Sequence, residues 1–227
     1  MKRKVLYYAI LWGTVELGSA KPRAGELPRA LVIGDSISIG YTPYVAQMLT
    51  NRVVVVHNPG NAMHTRNGLA KLSDWLGTSR WDVIVFNFGL HDLKYVHPDG
   101  QPARTFDDGA RQVPPEEYAR NLAEIGRRLC ASGATVIFAT TTPFPSGVSP
   151  PRNPADVELY NRLAREALQP LGIRILDLTT LVQFRLSDLQ RPANVHFRPE
   201  GDRVLGEAVA RAIWEALAHD LNELNRR

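Results

Sequence analysis

A serine that directly follows an apolar run, and a histidine just ahead of the last helical pattern, are the two halves of a nucleophile and base pair. The run Ala30-Leu31-Val32-Ile33 ends in Gly34-Asp35-Ser36-Ile37-Ser38, and the histidine is His196 in Asn194-Val195-His196-Phe197. A serine hydroxyl is a weak nucleophile until a base takes its proton, and neutral imidazole suits that task near pH 7. A serine at this turn also lies against the first amides of the following helix, which favour a developing negative charge. By itself Gly-Asp-Ser is an ordinary turn and helix cap, so the joint pattern carries the reading.

Those residues need a scaffold that brings a strand end and a distant loop together. Five short apolar runs, at 31–34, 53–56, 83–86, 135–139 and 173–176, are rich in β-branched residues and apolar on both faces, as covered parallel strands should be. Helical spacing lies between them. It is marked by Leu69, Leu72 and Leu76, by Tyr118, Leu122, Ile125 and Leu129, by Val157, Tyr160, Leu163, Ala164 and Ala167, and by Val204, Ala208, Ala212 and Leu217. A further helix, marked by Tyr44 and Val45, is expected after Gly40. The alternation predicts an α/β fold, a three-layer α/β/α sandwich on a five-stranded parallel sheet. Two segments break it. Residues 94–115 are polar with glycines and prolines, and residues 140–154 hold five prolines. Each follows a strand, at the carboxyl edge where open α/β sheets bind ligands, so each is expected to shape a substrate site.

The basic start Met1-Lys2-Arg3-Lys4, the apolar stretch 5–15 and the small residues Gly18-Ser19-Ala20 predict a secretory signal peptide over 1–20, followed by a single domain over 21–227. The expected location is therefore secreted or periplasmic. The apolar stretch is too short to span a bilayer, so no stable membrane span is expected after cleavage. Removing Lys2, Arg3, Lys4 and Glu16 takes the formal charge from +4 to +2. That is too little to imply a nucleic-acid partner, and no basic patch is interleaved with aromatics. The lone Cys130 excludes an internal disulfide, and no histidine pair has metal-ligand spacing, so neither a metal nor another cofactor is expected.

Two further blocks accompany Ser36 and His196. One is Asn58-Pro59-Gly60-Asn61-Ala62-Met63-His64-Thr65, the other Asn87-Phe88-Gly89-Leu90-His91-Asp92. In order and spacing the four blocks resemble the SGNH (GDSL-type) esterase and lipase superfamily, over roughly residues 29–218. The resemblance implies a flavodoxin-like sandwich and metal-free ester hydrolysis. It places Ser36 as nucleophile and His196 as general base. The amides of Ser36 and Met63, with the His91 side chain, would form the oxyanion hole, and Asp92 would be the structural acid of its block. The chain departs from the family pattern at three positions. Met63 stands where the family has glycine, and methionine resists positive φ. His91 replaces an asparagine, which a neutral imidazole can imitate with its one N–H. Ala193 replaces the acid that orients the histidine, leaving Asn194 or a backbone carbonyl to do so, with Asp188 the nearest acid in sequence.

The reading that follows is a serine ester hydrolase that removes short acyl groups from a carbohydrate or other polar alcohol, its partner being a small-molecule or polysaccharide ester. The alternatives are an acyltransferase using the same Ser36–His196 pair and a non-catalytic ligand-binding domain on the same fold.

Overall fold

The computed structural model describes residues 26–224; the signal peptide expected over 1–20 lies outside the described residues. Five strands, β1 (Arg29–Ile33), β2 (Val54–His57), β3 (Val83–Phe86), β6 (Thr135–Ala139) and β7 (Arg174–Leu176), form one parallel sheet in the order β2-β1-β3-β6-β7. Arg29 pairs with Val54 across β1 and β2, Ala30 with Val83 across β1 and β3, and Val83 with Thr135 across β3 and β6. The register thus aligns the carboxyl ends of β1 and β3. β3 is buried along its whole length, which is why its sequence, Val83-Ile84-Val85-Phe86, lacks any polar alternation.

Helices cover both faces of the sheet. α1 (Ser36–Met48) packs against α7 (Pro199–Leu224) on one side, and α2 (Thr65–Leu76), α3 (Pro115–Cys130) and α4 (Ala155–Leu168) pack in sequence on the other. Phe86, Phe88, Phe138, Tyr118 and Tyr160 fill the core between the layers, with the Phe86 and Phe138 rings edge to face at 5.1 Å. The helix expected after Gly40 begins at Ser36 instead. Asp35 is its N-cap, accepting the Ile37 N–H at 2.9 Å, and so brings the first turn forward to the nucleophile. Further along, Gly40 lets α7 approach closely: a β-carbon there would stand 2.6 Å from the Asp202 carboxylate and oblige it to move.

The two segments that break the alternation have structure of their own. Within 94–115, β4 (Tyr95–Val96) and β5 (Ala110–Arg111) pair antiparallel. The Tyr95 amide donates to the Pro151 carbonyl at 3.0 Å, joining this hairpin to the proline-rich segment. Arg111 clamps the buried Asp156 through two bonds of 2.7 and 2.9 Å while its guanidinium lies over the Tyr95 ring. After β7, α5 (Leu178–Val182) and α6 (Leu186–Leu189) lead to the loop that carries His196. Among the described residues no helix is long and apolar enough to cross a membrane.

Candidate active site

The strand beside the sheet's central one delivers Ser36. β1 ends at Ile33, Gly34 and Asp35 make the turn, and Ser36 opens α1 half-buried. A β-carbon on Gly34 would meet the Ser38 hydroxyl at 2.7 Å, so the close turn demands glycine. Asn58, at the end of the neighbouring strand, accepts the Gly34 N–H at 2.9 Å and donates to the Pro59 and Gly60 carbonyls, which ties the second block to the first.

His196 reaches Ser36 across 160 positions of sequence: its Nε2 lies 2.9 Å from Ser36 Oγ. Asn194 Oδ1 lies 2.7 Å from His196 Nδ1 and 2.9 Å from the His196 backbone nitrogen. That second contact settles the protons. A backbone N–H only donates, so the Asn194 atom facing it is the oxygen, and the ring nitrogen sharing that oxygen must carry a hydrogen. The remaining nitrogen, Nε2, is then the acceptor for the serine proton. Burial, followed by the charges of Arg191 and Arg152, holds His196 below the ordinary histidine pKa and keeps it neutral near pH 7. Ala193 is exposed with φ 48° and Asp188 is exposed on α6 with Ser187 as its bonded neighbour. Among the described residues no carboxylate pairs with His196; the orienting group beside it is an amide.

The groups expected around an oxyanion are arranged less evenly. The Ser36 N–H, at the first position of α1, donates to no described acceptor. Met63 adopts φ 59°, the left-handed conformation that its side chain was expected to resist. Its amide donates to Asn61 Oδ1 at 2.8 Å, which holds the turn in place, and that bond must open before Met63 can donate to a substrate. His91 Nδ1 is buried without a partner. An orphaned acceptor is cheaper than an orphaned N–H, so the hydrogen belongs on Nε2, which is left as a donor. Burial first, then Lys94, Arg152, His64 and His196, push the His91 pKa down to about 3, so the ring is neutral and its donor persists at every physiological pH.

Asp92 is fully buried and braces these blocks. Its Oδ1 accepts the Thr65 N–H at 2.8 Å and the Thr65 hydroxyl at 2.6 Å, fixing the start of α2 just after Met63 and His64. Burial outweighs these bonds and raises the Asp92 pKa to about 7; the same cause lifts Asp35 to about 6.

Two groups take roles that sequence reasoning did not assign, although His57, at the end of its strand, was expected near the site. The first is Ser38 with His57. Ser38 Oγ lies 2.7 Å from the Asp35 carbonyl and 2.6 Å from His57 Nε2, while His57 Nδ1 donates to the Asn58 carbonyl at 2.7 Å. With neutral His57, which burial favours, one hydroxyl hydrogen is shared between the Asp35 carbonyl and Nε2. This chain locks the turn before Ser36. The second is Arg152, only 7% exposed, whose Nε donates to the Leu90 carbonyl at 2.9 Å next to His91. The remaining histidines do not gather with these into a ligand set: among the described residues no three His, Cys, Asp or Glu side chains converge on a common point.

Known proteins share the fold. The chain superposes on a lipase/acylhydrolase from Enterococcus faecalis with a TM-score of 0.68, at 20% identity over 82% of this chain and 95% of that one. It superposes on Axe2, an acetylxylan esterase from Geobacillus stearothermophilus, at 0.66, with 16% identity over 81% and 93%. An acetyl xylan esterase, AlAXEase, gives 0.65 at 14% identity over 82% and 99%. No curated protein is similar in sequence at a significant level. The pattern of the GDSL-like Lipase/Acylhydrolase family runs from residue 32 to 204, from the strand that delivers Ser36 to the helix after His196. With Ser36, Asn58, His91, Asp92 and His196 each standing in its block of that order, the chain belongs to the GDSL-like lipase/acylhydrolase family and has its SGNH-hydrolase fold.

Proposed function

We propose that this hydrolase removes short acyl groups from a carbohydrate or other polar alcohol by way of an acyl-enzyme on Ser36. The observation that carries the reading is the aligned series Ser36 Oγ, His196 Nε2, His196 Nδ1 and Asn194 Oδ1, with contacts of 2.9 and 2.7 Å. In the first half-reaction Nε2 takes the serine proton as Oγ forms a bond to the ester carbonyl carbon. The carbonyl π electrons move onto oxygen, which the Ser36 amide and His91 Nε2–H stabilise. The imidazolium, its Nδ1–H held by Asn194, then gives its proton to the departing alkoxide as the C–O bond breaks. In the second half-reaction water enters, loses a proton to Nε2, and attacks the acyl carbon; collapse returns the proton to Ser36 Oγ and releases the acid.

Polar rims from the 94–115 and 140–154 segments favour a hydrophilic alcohol over a long acyl chain, and two of the similar structures are acetyl xylan esterases. Export, the expectation from the N-terminal residues, would bring such an enzyme to extracellular esters. The test is hydrolysis of p-nitrophenyl acetate and acetylated xylo-oligosaccharides by the wild type, Ser36→Ala and His196→Ala. Turnover by the wild type that both substitutions abolish is the expected result; equal rates in wild type and Ser36→Ala would end the proposal.

A further inference from the structure

Serine esterase chemistry needs a nucleophile, a base and an oxyanion hole, and none of these requires a permanent cation. The wall that carries His91 nevertheless holds two. Lys94 is half-buried, three residues beyond His91, and its ammonium makes no hydrogen bond or ion pair with any described residue. Arg152 donates to two neutral acceptors, the carbonyls of Leu90 and Pro150, at 2.9 and 3.1 Å. Its Nη2 has no acceptor among the described residues and is not sealed from solvent. The bond from the Tyr95 amide to the Pro151 carbonyl holds the residues next to Lys94 and Arg152 together, so the two charges share one side of the site.

Their neighbours behave differently. Arg66 is bidentate to Glu117 at 2.5 and 2.7 Å, and Arg111 is bidentate to Asp156. The two carboxylates close to the unpaired cations are already committed: Asp35 caps α1 and Asp92 holds Thr65. Neither forms a salt bridge with Lys94 or Arg152 among the described residues. Burial lowers the pKa of both cations, with the charge of Arg152 pushing Lys94 down further; Arg152 falls to about 10 because the nearby Asp35 carboxylate offsets its burial only in part. Two like charges drawn out of water within electrostatic reach of one another are unfavourable in the free protein, and an anion placed between them reverses the sign of that interaction.

We infer that the ester accepted at Ser36 carries a carboxylate on its alcohol part, held between the Lys94 ammonium and Arg152 Nη2 on the His91 side of the site. This rests on the esterase reading given above, with a neutral short acyl group such as acetyl, so that the alcohol carries the charge. The pair therefore selects for acylated acidic alcohols, such as sugar acids or hydroxy acids, over neutral ones.

Matched probes test this: 3- and 4-acetoxybenzoate against the corresponding neutral 3- and 4-acetoxybenzamides, with kcat/KM measured at low and high salt. For at least one isomer the wild type should prefer the carboxylate by about tenfold at low salt, as expected for a partly buried ion pair, and less at about 0.5 M salt. Lys94→Gln should lose most of that preference, whereas Lys71→Gln, a charge change on the exposed face of α2, should keep it. A preference at or below one for both isomers, or one that Lys94→Gln leaves intact, overturns the inference. Turnover of the benzamides that Ser36→Ala abolishes would, in that event, leave the esterase reading standing. No turnover of any probe by the wild type would sink the esterase reading and the inference with it.

Discussion

Asn194 is the residue whose loss should be most informative. It stands in place of the acid that orients the base in related sites, and its Oδ1 is the acceptor for both His196 N–H groups, at 2.7 and 2.9 Å. In the resting enzyme the contact to the ring is a neutral hydrogen bond, contributing about 0.5–1.5 kcal/mol. When His196 takes the serine proton, the same contact becomes charge-assisted, about 1.5–3 kcal/mol. The transition state therefore gains about 1–2 kcal/mol more from Asn194 than the free enzyme does. Losing the tautomer lock adds a smaller amount, because the ring can then carry its hydrogen on Nε2 and face Ser36 with no acceptor. Asn194→Ala should lower kcat/KM for p-nitrophenyl acetate by roughly 10–100-fold, at about 1.4 kcal/mol per decade. Asn194→Asp adds a companion readout. The base must be neutral, so kcat/KM falls as pH drops through the His196 pKa, and in the wild type that acid limb lies below the ordinary histidine value. A carboxylate at 194 favours the imidazolium and should move the limb up by about 1–3 units. If Asn194→Ala keeps more than half its activity, and the limb of Asn194→Asp stays where it was, Asn194 does not orient the base and the proton assignment argued from its oxygen is wrong.

Two further outcomes concern stability. Asp35 and Asp92 have folded pKa values raised to about 6 and about 7. The folded state thus binds protons that the unfolded chain has already released, and stability should fall as pH rises from about 4 to 7. Asp92→Asn should flatten much of that slope in chemical denaturation curves, and an unchanged slope would show that Asp92 is ionised throughout. Ser38→Ala leaves the Asp35 carbonyl and His57 Nε2 without their shared partner, and should destabilise the protein by about 1–3 kcal/mol. Urea unfolding measures this, and a change within error would mean that the chain beneath Ser36 does not hold the turn.

The sheet was legible because its strands are short, mostly apolar runs; the inner strand Val83–Phe86 reads as covered from composition alone, while the edge strand β2 leaves Val54 exposed. The hairpin of β4 and β5 was not. Two-residue strands carry no periodicity, and this pair is held by Arg111 clamping Asp156, a contact 45 residues apart. Ser36, His196 and Asn194 could be picked out because block order survives in sequence, and Asn194 sits two residues from its partner. Arg152 could not, since an arginine in a proline-rich stretch reads as solvated until the Leu90 carbonyl is seen beside it. Methionine at 63 argued for altered backbone, yet the turn keeps φ 59° because Asn61 and the braced Thr65 pin both sides of it. Local preference lost there to tertiary context, as it does where neighbouring bonds overdetermine a strained residue.

The most direct measurement is the site of covalent capture by a fluorophosphonate, read by mass spectrometry of the digested protein. The account predicts a single adduct on Ser36, formed more slowly in Asn194→Ala and lost in His196→Ala. An intact protein that never labels, or an adduct that forms on another residue and survives Ser36→Ala, would contradict it.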